Sequence, residues 1–128
     1  MVTAISQGVK ISVETVYQEQ YSNPANEHYM FAYSITIENL TSDTVQLLSR
    51  KWFIFDAAGD TRIVEGAGVV GLQPVISSGE SYSYVSGCTL KSELGSMRGH
   101  YTMLDHFTGI TFEAEIPEFE LIVPYRLN

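Results

Sequence analysis

Three glycines, Gly66, Gly68 and Gly71, carry the one spacing in this chain that is tied to a defined ligand chemistry. They sit in Val64-Glu65-Gly66-Ala67-Gly68-Val69-Val70-Gly71. Gly-x-Gly-x-x-Gly brings backbone amides close to a pyrophosphate when it follows a strand and opens a helix. Here the glycines run instead into Leu72-Gln73-Pro74-Val75-Ile76. Pro74 has no amide proton and biases Gln73 toward extended geometry, and β-branched residues follow. Residues 64–71 therefore read as a glycine-rich loop between strands. Two roles stay open for it. The glycines supply positive φ or a close backbone approach at a tight crossing, or their amides form a nest for a small anion. A nest usually recruits a cation, and Arg50, Lys51 and Arg62 are available if the preceding hairpin folds over the loop.

Other reactive side chains are sparse. Transition metals want His, Cys or carboxylates within coordination distance of one another. His100 and His106 share one parity, but six residues of strand place them about 20 Å apart, too far to hold one ion. Asp105 and His106 point to opposite faces of a regular strand, and His28 begins a different strand. Glu113, Glu115, Glu118 and Glu120 alternate with apolar residues, which reads as a solvated face that discourages edge pairing. Cys88 follows Ser86-Gly87 with no patterned His or Asn and reads as a small buried hydrophobe. Glu14 and Glu19 have no spacing that fixes them as an acid-base pair. No nucleophile elbow, zinc-protease helix or Walker loop is present. The expectation is no catalytic set, no metal site and no cofactor.

These residues must be carried by strands, because the apolar period is two almost throughout. Between 28 and 39, Tyr29, Phe31, Tyr33, Ile35 and Ile37 share one face. Val9, Ile11 and Val13 are in phase in a first strand over 9–17. Residues 45–55 are apolar on both parities, the pattern of a central strand covered on both faces. Asp56-Ala57-Ala58-Gly59-Asp60 reads as a hairpin turn with a short return over 61–64, and Ser77-Ser78-Gly79-Glu80 as another turn. Tyr82 and Tyr84 follow in a further strand, then a hairpin over 99–105 and 109–116 and an arm over 119–123. The apolar phase slips by one residue at Pro117, as a β-bulge requires. About seven short strands predict an all-β fold, an antiparallel sandwich of immunoglobulin or fibronectin type III character, with Trp52 in its core.

Composition excludes several partners. The chain has 128 residues, 45% of them hydrophobic, which is enough for one packed domain over 1–128. Fifteen acidic residues against 7 basic give a net charge of −8, a field that repels a nucleic-acid backbone. No apolar run approaches membrane-spanning length. The single cysteine and the absence of a leader at the start predict a cytoplasmic protein, in which the sequon Asn39-Leu40-Thr41 has no meaning.

Several blocks together resemble the ApaG (CorD) family. They are Tyr29-Met30-Phe31-Ala32-Tyr33-Ser34-Ile35-Thr36-Ile37-Glu38-Asn39-Leu40, Val45-Gln46-Leu47-Leu48-Ser49-Arg50-Lys51-Trp52, and residues 64–71 with Gln73-Pro74. Ser78-Gly79-Glu80, Ser86-Gly87, Met97-Arg98-Gly99-His100-Tyr101-Thr102-Met103, Ile116-Pro117-Glu118-Phe119-Glu120-Leu121 and Pro124 complete the match. The resemblance implies a fibronectin type III-like sandwich and a link to cobalt resistance and magnesium efflux. It also implies a protein-interaction role, since eukaryotic relatives sit inside larger proteins such as an F-box protein and a polymerase delta-interacting protein. The family supplies no agreed catalytic residues. Many members place an acidic residue between the glycines where this chain has Gly66-Ala67-Gly68, so a cation ligand in the loop is not carried over. The expected function is a non-enzymatic cytoplasmic binding module that takes a protein partner or a small anionic ligand, with a homodimer through exposed edges as a further assembly. The alternative is a phosphate- or nucleotide-binding protein, or a hydrolase, using Gly66, Gly68 and Gly71.

Overall fold

The computed structural model describes residues 1–127. Two antiparallel sheets face each other across one apolar core. The strands are β1 (Val2–Ser6), β2 (Val9–Tyr17), β3 (Tyr29–Asn39), β4 (Val45–Asp56), β5 (Thr61–Ala67), β6 (Val75–Ile76), β7 (Ser81–Leu90), β8 (Leu94–Asp105) and β9 (Thr111–Ile122). One sheet runs β1-β2-β3-β7, and the other runs β5-β4-β8-β9 with β6 pairing the start of β4. Short 3₁₀ turns at Glu19–Tyr21, Pro24–Asn26 and Pro124–Leu127 join or end the strands.

The expected alternation holds where it was cleanest. In β3, Phe31, Tyr33, Ile35 and Ile37 are buried while Ser34 and Thr36 face out. Val9, Ile11 and Val13 oppose them from β2. Trp52 packs edge-on to Tyr33 at 5.4 Å and to Phe119 at 5.8 Å between centroids, an arrangement that the ring quadrupoles favour. Pro117 marks a bulge: the β8–β9 register passes from Met97↔Phe119 to Gly99↔Ile116. The terminal arm is thus the continuation of β9 rather than a separate strand, and all four glutamates on it are exposed.

The described residues form nine strands where the pattern predicted about seven. β1 is added by a two-residue turn, Gln7-Gly8, with both residues at positive φ, the geometry that suits the twist of a hairpin. β6 is only two residues long, below what periodicity can register. β5 extends to Ala67, so Gly66 lies in a strand and not in the loop.

One expectation is corrected. β4 is not covered on both faces, because Phe55 is 47% exposed. A register shift between Leu47 and Ser49 reverses its parity. Val45 and Leu47 point into the core before the shift, and Trp52, Ile54 and Asp56 do so after it. Phe53 faces outward under the Arg98 guanidinium, 4.5 Å from the ring centroid.

Asn39 shows what the sequon does. It is fully buried at the end of β3, and its side-chain amide donates to the carbonyls of Asp43 and Ile76. Its Oδ1 accepts from the amide and hydroxyl of Thr41. The Asn-x-Thr triplet is an Asx turn that organises the β3–β4 connection.

Candidate functional site

The sandwich is closed on one side and parted on the other. Along the closed side β1 and β2 pack on β9, and the Glu115 amide donates to Ser6 Oγ at 3.0 Å. On the opposite side β7 and β5 are the edge strands of their sheets. The cleft between these two edges has a volume of ≈ 490 Å³.

Two guanidinium groups enter this cleft. The β4 bulge turns Arg50 inward, on the same face as Trp52 and Ile54. Its register partner on β5 is Gly66, where a Cβ would lie 2.8 Å from Arg50 Nη1. A side chain at 66 would therefore displace the guanidinium, which is the close approach that glycine permits there. Nη1 donates to the carbonyls of Ala67 at 3.1 Å and Gly68 at 3.0 Å. Arg62 spans the mouth of the cleft, its Nη2 donating to the Thr89 carbonyl of β7 at 2.7 Å and lying 3.5 Å from Cys88 Sγ. Among the described residues neither arginine forms an ion pair with a carboxylate. Asp56 is near enough to feel Arg62, but its oxygens are taken by Ala58, Lys91 and Ser92.

Uncharged hydroxyls back these cations. Tyr33 and Ser86 line the cleft, and the hydroxyls of Tyr84 and Tyr101 bond to each other behind it. Burial pushes the Tyr33, Tyr84 and Tyr101 phenols up from their ordinary value, with Arg50 pulling each of them the other way. All three stay protonated at physiological pH and can donate. Burial also raises the Cys88 thiol, against the pull of Arg62, so it stays a thiol and a weak nucleophile.

The glycine segment proves to be two structures. Gly66 is part of β5. Gly68 leads into a two-residue hairpin turn that contains Gly71, and Val69 and Leu72 exchange both backbone hydrogen bonds across it, at 2.7 and 3.0 Å. Val70 and Gly71 occupy its tip at φ 47° and 78°. The Gly68 amide donates to the Leu48 carbonyl at 2.8 Å. The amides of Gly68, Val69 and Leu72 are thus spent within the protein, and it is carbonyls that meet the nearest cation, Arg50. Lys51 faces outward and pairs with Glu65 at 3.1 Å.

The remaining candidates are dispersed. His100 lies 3.6 Å from Glu113, and His106 Nε2 meets Gln46 Oε1 at 2.9 Å. His28 closes a short bridge with Asn23. Among the described residues no three His, Cys, Asp or Glu side chains are placed to hold a metal ion.

The glycine segment, the β4 sequence and the two-sheet topology have counterparts in known proteins. The profile of the ApaG domain matches residues 19–105. This chain belongs to the ApaG family. It is 50% identical over 120 residues to Protein ApaG of Vibrio cholerae serotype O1, covering 94% of each chain. It is 49% identical to Protein ApaG of Escherichia coli O1:K1, covering 94% of this chain and 95% of that one. The crystal structure of a Bordetella pertussis protein described as ApaA superposes with a TM-score of 0.87 at 40% identity, over 91% of this chain and 94% of that one. The ApaG domain is thus a fibronectin type III-like sandwich, and in this member the cleft between β5 and β7 gathers Arg50 and Arg62. Sequence reasoning named both arginines as cations for the loop. It missed that the β4 bulge would send Arg50 into the sandwich. The available signal was the parity change from Val45 and Leu47 to Trp52 and Ile54, hidden because Phe53 and Phe55 are also apolar.

Proposed function

We propose that this ApaG protein is a non-enzymatic binding module acting in the cytoplasm, engaging a protein partner or a small anionic ligand. The observation that carries the partner reading is the tip of the hairpin after β5. Val70 is β-branched, sits at φ 47°, and is 65% exposed. Left-handed backbone at such a residue costs about 1–3 kcal/mol. No core contact offsets that cost, so the side chain is displayed rather than packed. Leu72 and Val75 are exposed beside it, and Ile63 is exposed on the edge strand leading into it. The partner this fits is a protein with an apolar contact face that also reaches the free β5 edge. Any effect on cobalt or magnesium homeostasis is then indirect, exerted through the bound protein. No described helix is long and apolar enough to cross a membrane.

The test is affinity capture with the wild-type chain and with a Val70→Asp, Leu72→Asp variant. One identified protein should bind the former directly, protect the amides of β5 and the hairpin from exchange, and be lost from the latter at unchanged Tm. Equal capture by both forms overturns the reading. So does turnover of pyrophosphate or a dinucleoside polyphosphate by the pure chain that a bulky residue at Gly68 abolishes, which would instead support a hydrolase at the loop.

A further inference from the structure

An inward-facing cation with no carboxylate partner is costly to desolvate unless something uses it, and this chain directs two of its 7 basic residues into one cleft. Among the described residues no Asp or Glu lines that cleft. Arg50 spends Nη1 on two backbone carbonyls, which fixes the plane of the guanidinium. Its Nε and Nη2 edge has no acceptor among the described residues, and that edge is the fork that grips an oxyanion side-on. The Ser86 hydroxyl of β7 lies beside the Tyr33 phenol of β3 in the cleft, and with one bond between them the pair has a proton to spare. Donors arriving from β3, β4 and β7 suit a tetrahedral group with several acceptor oxygens better than a planar carboxylate with two.

We propose that the cleft between β5 and β7 is a phosphate site, in which Arg50 with the Tyr33 and Ser86 hydroxyls holds one phosphoryl group and Arg62 meets a second anionic group at the mouth. This deepens the small-anion half of the proposed function and moves the site from the loop amides to side chains. The spacing sets the ligand class. Arg62 and Gly66, the partner of Arg50, are four residues apart on β5, about 13 Å along the strand. The Arg50 guanidinium is held toward Ala67 and Gly68 and that of Arg62 toward Thr89, so the two do not converge on one acceptor group. A linear chain of phosphoryl groups, or a small molecule with a phosphate at one end and a second anion at the other, approaches both. Trp52 is 2% exposed, so its ring is closed to a stacking base, and nothing in the cleft calls for a nucleoside.

The experiment is an amide-resolved NMR titration with inorganic phosphate, pyrophosphate, tripolyphosphate and a linear dicarboxylate at fixed ionic strength. Saturable shifts are expected at Gly66, Ser86 and Gly87, with tripolyphosphate binding about tenfold more tightly than phosphate. Arg62→Gln should erase that gradient while phosphate itself still binds. Arg50→Gln should abolish saturation, and Gly66→Ala, whose methyl pushes the guanidinium aside without removing it, should weaken binding at least about fivefold. Tm and the unperturbed amides of β1 and β2 report whether each variant is folded, and Arg50→Lys keeps the charge if Arg50→Gln is not. Shifts confined to residues 68–72 overturn the proposal by seating the anion in the hairpin. Dicarboxylate binding as tight as tripolyphosphate overturns the phosphate assignment, and saturation that survives Arg50→Gln overturns the site. If no anion saturates by about 10 mM while partner capture remains intact, this site falls and the binding-module reading stands.

Discussion

Asn39 uses every hydrogen-bonding position of its carboxamide, two as donor and two as acceptor, and has no exposure to water. Asn39→Ala should cost about 3 kcal/mol in urea unfolding, because the Asp43 and Ile76 carbonyls lose their donor inside the protein. Asn39→Asp should cost at least as much, since it sets a carboxylate against those carbonyls. Asp56 is the second polar residue of this kind. Burial alone would raise its carboxyl, but hydrogen bonds from the Lys91 amide, the Ser92 hydroxyl and the Ala58 amide hold it below the ordinary value. A depressed folded value means that the stabilisation is present above the unfolded value near 3.8 and is lost as pH falls through the folded one. Asp56→Asn should therefore be destabilised by about 2 kcal/mol at neutral pH. The gap between its stability and that of the wild type should close as the pH drops below about 4. Thermal melts from pH 7 down to pH 2 check both statements. Neither residue advertised itself in the sequence: Asn39 read as an idle sequon and Asp56 as one end of a turn.

At the scale of elements, two bulges decide which faces the strands present. The one in β9 was legible because Pro117 cannot continue a ladder and the apolar phase changes around it. The one in β4 has the same parity change and no proline, and outward-facing Phe53 and Phe55 fill the alternation. Periodicity records which residues are apolar, and it cannot record that Phe53 is shielded by Arg98 instead of by a second layer. That is why the fold class, most strands and the core position of Trp52 could be read, while the inward turn of Arg50 could not. β1 and β6 escaped for a simpler reason, being too short or too polar to show a period. Deleting Phe53, in the regular part of β4, should be among the most damaging single changes. It throws Trp52 and Ile54 onto opposite faces, a loss of at least about 4 kcal/mol that equilibrium unfolding would register. Phe55→Thr in the same strand should cost less than about 1 kcal/mol, because the ring is already half in water.

Seen whole, the two sheets are joined by packing along β1, β2 and β9, by Tyr33 on Trp52 and Tyr84 on Tyr101 at the centre, and between the β5 and β7 edges by the Arg62 bridge. Arg62→Ala should lower global stability by no more than about 1.5 kcal/mol. Amide exchange in β5 and in the second half of β7 should nonetheless quicken more than in β2 or β3, which hydrogen-exchange mass spectrometry would resolve. The order of the strands also bears on how the chain is made. Tyr29 of β3 pairs with Leu90, and Val45 of β4 with Asp105. At about 5–20 residues per second on the ribosome, the β3 edge that awaits β7 stays bare for roughly 3–10 s after β3 is synthesised. That edge belongs to a strand with five large apolar side chains, so the nascent protein passes through an interval in which it is a natural client for chaperones and a hazard to its neighbours.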